Sequence, residues 1–261
     1  MKASALPYYA SSAVTILGRL RPLPRVVGLL LRPSATTVQI PRLGLDFRVR
    51  DFMDVWCLKE TFLNRDYLVH GFEPQPGWTV VDIGAALGDF SVQCARDFGV
   101  RRVVAVEPAP SAIERLRANL DRNGATGVEI VGKALAREAG ELWLDVSGPP
   151  LTMGTSAEQA HERQVRVEAI TPAMLFDELG VQRCDLMKLD CEGAEFDLLA
   201  DPDDEVLART DRIVLEFHEG DGRDRATLVD TLEKAGFAVE VWENVVHRDL
   251  GYLRAIRREL V

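Results

Sequence analysis

The residues from Thr79 to Ser91 constrain this chain more than any other stretch. Thr79-Val80-Val81-Asp82-Ile83 is β-branched apart from Asp82, the composition of a strand covered on both faces in a parallel sheet. It runs into Gly84-Ala85-Ala86-Leu87-Gly88 and then into Asp89-Phe90-Ser91, which opens a helix. Gly84 and Gly88 remove Cβ atoms where the main chain must bend sharply or where a ligand must lie on it. A turn of this kind leaves N–H donors at the helix start for a nucleotide or a carboxylate.

The glycine spacing decides between nucleotides. A dinucleotide fingerprint needs G-x-G-x-x-G, and Ala86 and Asp89 stand where its second and third glycines belong. Asp89 would also put a negative charge in the place of a phosphate. A cationic ligand without phosphate suits the turn better, and S-adenosylmethionine has the right parts: an adenosine, a sulfonium and an amino-acid tail. Asp82 would receive its ammonium group, directly or through water, and the turn amides would line the rest of the tail. A second strand, Val103 to Val106, ends at Glu107, and an acid roughly 20 residues past the glycine turn holds ribose hydroxyls in doubly wound folds. Alone, Asp82 could instead cap its turn and Glu107 be a solvated strand-end acid; the pair at this spacing points to the donor.

Three stretches carry a resemblance to a family. Val80 to Ser91, Val106-Glu107-Pro108 and Cys184-Asp185-Leu186-Met187-Lys188-Leu189-Asp190-Cys191-Glu192-Gly193-Ala194-Glu195 resemble the FkbM-type S-adenosylmethionine-dependent methyltransferases. Around the fourth strand that family shows Asp-hydrophobic-hydrophobic-Lys-hydrophobic-Asp-x-Glu-Gly-Ala-Glu. The likeness runs from about Asp51 to Arg257 and leaves out the N-terminus. It implies an α/β fold, the class I methyltransferase Rossmann-like sheet, mostly parallel with its last strand antiparallel. Residues 51–261 would form that domain and residues 1–50 an N-terminal appendage. It also implies methylation of a hydroxyl on a sugar, glycolipid or polyketide-type acceptor. The expected donor-binding residues are Asp82, Gly84, Ala85, Gly88, Phe90, Glu107, Pro108, Ala134 and Asp190.

Composition bounds the rest. With 261 residues, 47% of them hydrophobic, the chain supports one large α/β domain and an appendage. A formal net charge of −10 argues against nucleic acid as a partner, since that mode depends on clustered cations. Cys57, Cys94, Cys184 and Cys191 lack metal-ligand spacing and read as reduced core residues of a cytoplasmic protein. The charge is uneven. Residues 1–50 hold eight basic residues against Asp46 alone, a surplus of seven, which leaves −17 for the remainder of a chain at −10. Ala13 to Leu31 is apolar but interrupted by Arg19, Arg21, Pro22, Pro24 and Arg25, which excludes an unbroken membrane span; the order of charges also differs from a secretory signal. For this basic, broken amphipathic segment three roles stay open: resting peripherally on an anionic membrane, docking a partner that carries the acceptor, or packing on the body.

Further along, Thr37 to Leu43 and Phe47 to Val49 read as a lead-in hairpin and Asp54 to Tyr67 as a helix over the cofactor pocket. Ser111 and Glu114 are spaced as a capping box that would start the next helix, with Gly124 as its stop. Val128 to Val131 is the third strand, with Ala134 expected against the adenine. Glu141 to Val146 and Gln164 to Ala169 alternate as strands around a turn-rich segment, Ser147 to Ser156, a candidate acceptor loop or a tolerated insertion. Thr171-Pro172 opens a helix. Asp185 to Leu189 is the fourth strand and presents Asp190 and Glu192 at its carboxyl end. Lys188, buried among apolar neighbours, requires a carboxylate, for which Glu216 and Glu192 are the candidates. Ile213 to His218 is the fifth strand, with Glu216 and His218 on one face. His218 and Asp190 are the candidate general bases, Glu216 the residue to orient the imidazole, and Glu192 the residue to position the acceptor. A divalent cation on Asp190, Glu216 and His218 is the alternative mechanism, one the family pattern does not demand. A nicotinamide-dependent oxidoreductase and a catalytically silent S-adenosylmethionine-binding protein are the competing classes.

Overall fold

A computed structural model describes residues 5–68, 72–145, 155–156, 164–191, 193–200, 204–220, 222–244, 246–247 and 249–261. Helix α1 (Ala5–Arg19) and helix α2 (Leu23–Leu31) are separated at Pro22 and followed by a hairpin of β1 (Thr36–Ile40) and β2 (Leu45–Val49). Helix α3 (Phe52–Leu58) starts at Asp51, whose side chain accepts from the Asp54 amide, and winds into a π-helical turn over Lys59–Asn64. Tyr67 therefore lies beyond the helix expected to contain it. Then come β3 (Thr79–Ile83), α4 (Asp89–Val92) with a π-helical continuation to Asp97, β4 (Arg102–Val106), α5 (Pro110–Asn123) and β5 (Val128–Val131). A second sheet holds β6 (Ala134–Leu135), β7 (Gly140–Asp145), β8 (Thr155–Ser156) and β9 (Gln164–Ile170). The chain closes with α6 (Pro172–Glu178), β10 (Leu186–Leu189), α7 (Ala194–Ala200), α8 (Asp204–Ala208), β11 (Arg212–His218), α9 (Arg225–Lys234), β12 (Phe237–Glu243) and β13 (Leu250–Arg257).

The main sheet has seven strands in the order β12-β13-β11-β10-β3-β4-β5. β10, β11, β3, β4 and β5 pair in parallel, while β13 runs antiparallel to both β11 and β12. The order reverses at β3, so β4 and β10 leave on opposite sides and a crevice opens beyond their carboxyl ends. Period-two alternation divides the sheet's side chains between two layers. Val81, Ile83, Met187, Leu189, Ile213 and Leu215 face a core shared with Phe176, Phe196 and Leu232 of α6, α7 and α9. Val80, Leu186 and Val214 face the other way, toward Phe90 and Tyr67.

The hairpin of residues 36–49 shares a core with Ala85, Leu87 and Leu116, so the packing does not break at residue 50. α5 fastens it by side chains. Asn119 Oδ1 accepts from the Arg48 amide at 2.6 Å, and its amide group donates to the Arg48 and Leu87 carbonyls. Asn123 does the same for Asp46. The expected capping box is a correction: α5 begins at Pro110, with Ala109 at the N-cap and no side-chain cap, because proline's fixed φ starts the helix before Ser111. Thr171 does cap α6, accepting from the Met174 amide at 3.2 Å.

Candidate active site

The glycine turn after β3 is closed by the chain itself. Gly84 and Ala85 donate their amides to the Val106 carbonyl, both at 3.0 Å, which ties the turn to the end of β4. Gly84 has φ +74°, and a Cβ there would overlap the Asp190 carbonyl oxygen; Gly88 has φ +86°, and a Cβ there would overlap Leu116. Both glycines are thus required by the closeness of protein atoms. Ala86, where a dinucleotide fingerprint has glycine, sits at φ +47°, a left-handed conformation that costs about 1–2 kcal/mol for an L residue. Its amide donates to Glu107 Oε2 at 2.9 Å, and the Ala109 amide donates to Glu107 Oε1 at 2.8 Å. Burial pushes the Glu107 pKa up, and these two hydrogen bonds, with Lys188 and Arg115, work against that rise. The carboxylate at the end of β4 is therefore fixed by the turn it faces. Pro108 is half-buried after β4, and Phe90 is buried at the start of α4. Ala134 is buried against Ala109 and Ala112, between the start of α5 and the second sheet.

Asp82 is fully buried. Its Oδ2 accepts from Ser91 Oγ at 2.6 Å and its Oδ1 lies 3.2 Å from Lys188 Nζ. Lys188 also donates to the Gly84 carbonyl at 2.9 Å and lies 3.7 Å from Asp190 Oδ2. This corrects the partners expected for Lys188: among the described residues they are Asp82 and Asp190 in place of Glu216, because β10 and β3 are adjacent and set Lys188 opposite Asp82 in register. Burial opposes the ammonium, but Asp82, then Asp190 and Asp89, hold its pKa above the ordinary lysine range. Asp89 is buried at the start of α4, accepting a hydrogen bond from the Thr61 hydroxyl. Its burial, partly offset by that bond, raises its pKa to about 6.

Asp190 is half-exposed at the end of β10. Tyr67 donates its phenol proton to Asp190 Oδ2 at 2.7 Å and lies 3.4 Å from Glu216 Oε2. The Tyr67 ring stands edge-on to Phe90 and Tyr252, and burial with the two nearby acids pushes its pKa well up. Glu216 thus turns to the phenol. The acid beside His218 is Glu195, on α7, with Oε1 3.8 Å from Nδ1; this corrects the assignment of that place to Glu216. Glu195 is fully buried and accepts from the Cys191 amide at 2.6 Å and the Gly193 amide at 2.8 Å. Burial raises its pKa, and His218 is the first influence against that rise. Glu192 and residues 146–154 lie outside the described residues. Among the described residues no three His, Cys, Asp or Glu side chains converge as a metal site. Tyr67 and Glu195 were not singled out from the sequence. Glu195 had a signal, its place in the Glu-Gly-Ala-Glu run; Tyr67 had none.

The donor set suits a cation and not a phosphate. Acids end four neighbouring strands or start the helix beside them: Asp82, Asp89, Glu107, Asp190 and Glu216, against the buried Lys188. The Methyltransferase FkbM domain profile matches residues 82–252, well over half of the chain. The chain belongs to the FkbM methyltransferase family. Its methyl donor is accordingly S-adenosylmethionine. Among relatives of this FkbM methyltransferase, Methyltransferase 1 of Beauveria bassiana is 30% identical over 206 residues, spanning 70% of this chain and 80% of that one. The 31-O-demethyl-FK506 methyltransferase FkbM of Streptomyces tacrolimicus is 27% identical, spanning 69% and 80%. Among solved structures, M. jannaschii TYW2 in complex with AdoMet shares the fold, with a TM-score of 0.50 and 17% identity over 86% of each chain.

Proposed function

We propose that this FkbM methyltransferase methylates a hydroxyl group of a sugar, glycolipid or polyketide-type acceptor, with His218 as the base. The observation that carries the reading is the buried Glu195 carboxylate 3.8 Å from His218 Nδ1 at the carboxyl end of β11. A hydroxyl, unlike an amine, has to lose its proton as it attacks, and a positioned base contributes about 10²–10⁴-fold. A carboxylate on the Nδ1 side stabilises the imidazolium formed when the other ring nitrogen takes that proton. Asp190 is the second candidate, but its Oδ2 already accepts the Tyr67 proton, which suits it to positioning. Glu192 stays a proposed acceptor-positioning residue on sequence grounds. The name of the Streptomyces relative, a 31-O-demethyl-FK506 methyltransferase, supports an oxygen acceptor.

When bound, S-adenosylmethionine supplies a methyl group on a sulfonium, open to in-line displacement. Glu107, clamped by two amides, has lone pairs left for a ribose hydroxyl pair. Asp82 acts from beneath the turn, holding Lys188 and contributing charge. Gly84, Ala85 and Gly88 bring the main chain close, Phe90 and Pro108 flank the pocket, and Ala134 backs the adenine side. Membership of the family removes the nicotinamide-dependent alternative.

A panel of glycosides and macrolides incubated with donor carrying a ¹³C methyl tests this. The expected product has its new carbon in a methoxy group by NMR; an N- or C-methyl product refutes the hydroxyl reading. His218→Ala should lower turnover by roughly 10²–10⁴-fold, with donor affinity by calorimetry unchanged. Wild-type turnover in that variant removes His218 from the mechanism.

A further inference from the structure

Helix α1 is apolar on two opposite sides. Ala5, Ser12 and Ile16 turn inward and are buried, yet Leu6 is 81% and Val14 73% exposed. At 3.6 residues per turn Leu6, Val14 and Leu17 lie within about 80° of one another, forming a stripe centred about 140° around the helix from the buried face of Ala5, Ser12 and Ile16. Helix α2 repeats the arrangement. Val26 and Leu29 are buried, while Leu23, Val27, Leu30 and Leu31 share an outward arc, Leu31 at 86% exposure. Ile16, Leu20, Val26 and Leu29 join one core cluster with Val38 and Phe47, so both stripes look away from the same core. Ten of the fourteen well-exposed large apolar side chains described fall in residues 6–53, so the exposure is concentrated and not scattered, and a concentrated apolar patch marks an interaction site.

Charge selects the occupant. Arg19, Arg21, Arg25 and Arg32 are exposed around these helices, and no acid precedes Asp46, in a chain whose other residues are strongly negative. A second copy of the chain would set the same arginines against each other across a two-fold axis. An anionic bilayer offers acyl chains to the leucines and headgroups to the guanidinium groups. Neither helix is long and apolar enough to cross a membrane, so the geometry is that of helices lying in the interface. The same segment reaches the carboxyl edge of the main sheet: Tyr9 Oη is 3.4 Å from His247 Nε2 in the β12–β13 connection, and Lys59 Nζ donates to Tyr8 Oη at 3.0 Å while lying over the Trp56 ring.

We infer that α1 and α2 form a membrane-docking surface that lays the chain on an anionic bilayer with the carboxyl edge of the main sheet close to the headgroups. The inference does not depend on the acceptor, since binding is read without turnover. The full chain is floated with vesicles of equal parts phosphatidylglycerol and phosphatidylcholine, and with phosphatidylcholine alone, at low and high salt. Flotation is expected on the anionic vesicles, weaker on the neutral ones and reduced by salt. Leu30→Glu with Leu31→Glu should abolish it, and Arg25→Glu with Arg32→Glu should weaken it at least roughly tenfold. Calorimetry of S-adenosylmethionine binding should be unchanged in both, which reports an intact fold. No flotation on anionic vesicles, or flotation untouched by the leucine changes, overturns the inference. A dimer seen by light scattering and broken by Leu30→Glu, without vesicle binding, overturns it in favour of self-association.

Discussion

Beyond β3 and β4 the polar groups of the crevice are held by neighbouring backbone and by buried partners. Gly84 and Ala85 bond Val106, Ala86 and Ala109 clamp Glu107, and Asp82 is locked between Ser91 and Lys188. Beyond β10 and β11 the polar groups are half-exposed side chains that meet buried ones from distant elements: Asp190 and Glu216 with Tyr67, and His218 with Glu195. On the proposed function the first region holds the donor, and its groups are already fixed in the folded chain. The second keeps half-exposed groups whose partners, Tyr67 and Glu195, come from two other elements, and on the proposed function it is this region that meets the acceptor. Lys188 is the joint, touching Asp82 on one side and Asp190 on the other.

The sharpest way to break the comparison is to unlock the first region. Asp82→Asn leaves the Lys188 ammonium buried beside a neutral partner and should destabilise the chain by about 3–5 kcal/mol. Denaturant melts with a midpoint like the wild type would mean that the pair is not what holds this region together. Gly84→Ala comes next, at about 3 kcal/mol from overpacking against the Asp190 carbonyl and left-handed strain combined. It should also weaken donor binding, and a normal melting curve would show that the turn can yield.

The pH dependence of the first region is a third test. Asp89 has a folded pKa of about 6, above its ordinary 3.8, so the folded state binds a proton that the unfolded chain releases. Its contribution is fully present below about pH 4 and is lost as pH rises through 6. Asp89→Asn, neutral throughout, should remove a loss on the order of 3 kcal/mol between those limits. Parallel stability–pH curves for the two proteins would contradict the buried setting of this acid. The smallest stability effect belongs to the second region. Tyr67→Phe removes one hydrogen bond to a half-exposed carboxylate and should cost about 1–2 kcal/mol, yet lower turnover with donor affinity intact. If donor affinity falls instead, the division between the two regions is false.

Legibility in the sequence followed the same division. Strand β3, its glycine turn and the acid at the end of β4 were readable because each is a short contiguous pattern obeying backbone sterics. The Thr171-Pro172 helix start was readable for the same reason, while Ser111 misled because Pro110, one residue earlier, had already fixed the helical φ. Lys188 was recognised as needing a carboxylate, but the choice of Asp82 depends on which strand lies next to β10. His218 was placed beside Glu216 by strand periodicity, whereas α7, packed near β11, brings Glu195 to the ring.

What the residues alone determined is the local backbone: where it must turn left-handed, which runs must be buried on both faces, and how the acid spacing prefers a cationic donor to a phosphate. Strand order and helix packing decided the rest, namely that Asp82 faces Lys188, that Tyr67 spans to Asp190 across more than a hundred residues, and that Glu195 stands beside His218. Backbone constraints act between neighbours in the chain and leave their mark in composition. A meeting of two side chains from separate elements depends on the registry of every layer between them, and neither residue type records it.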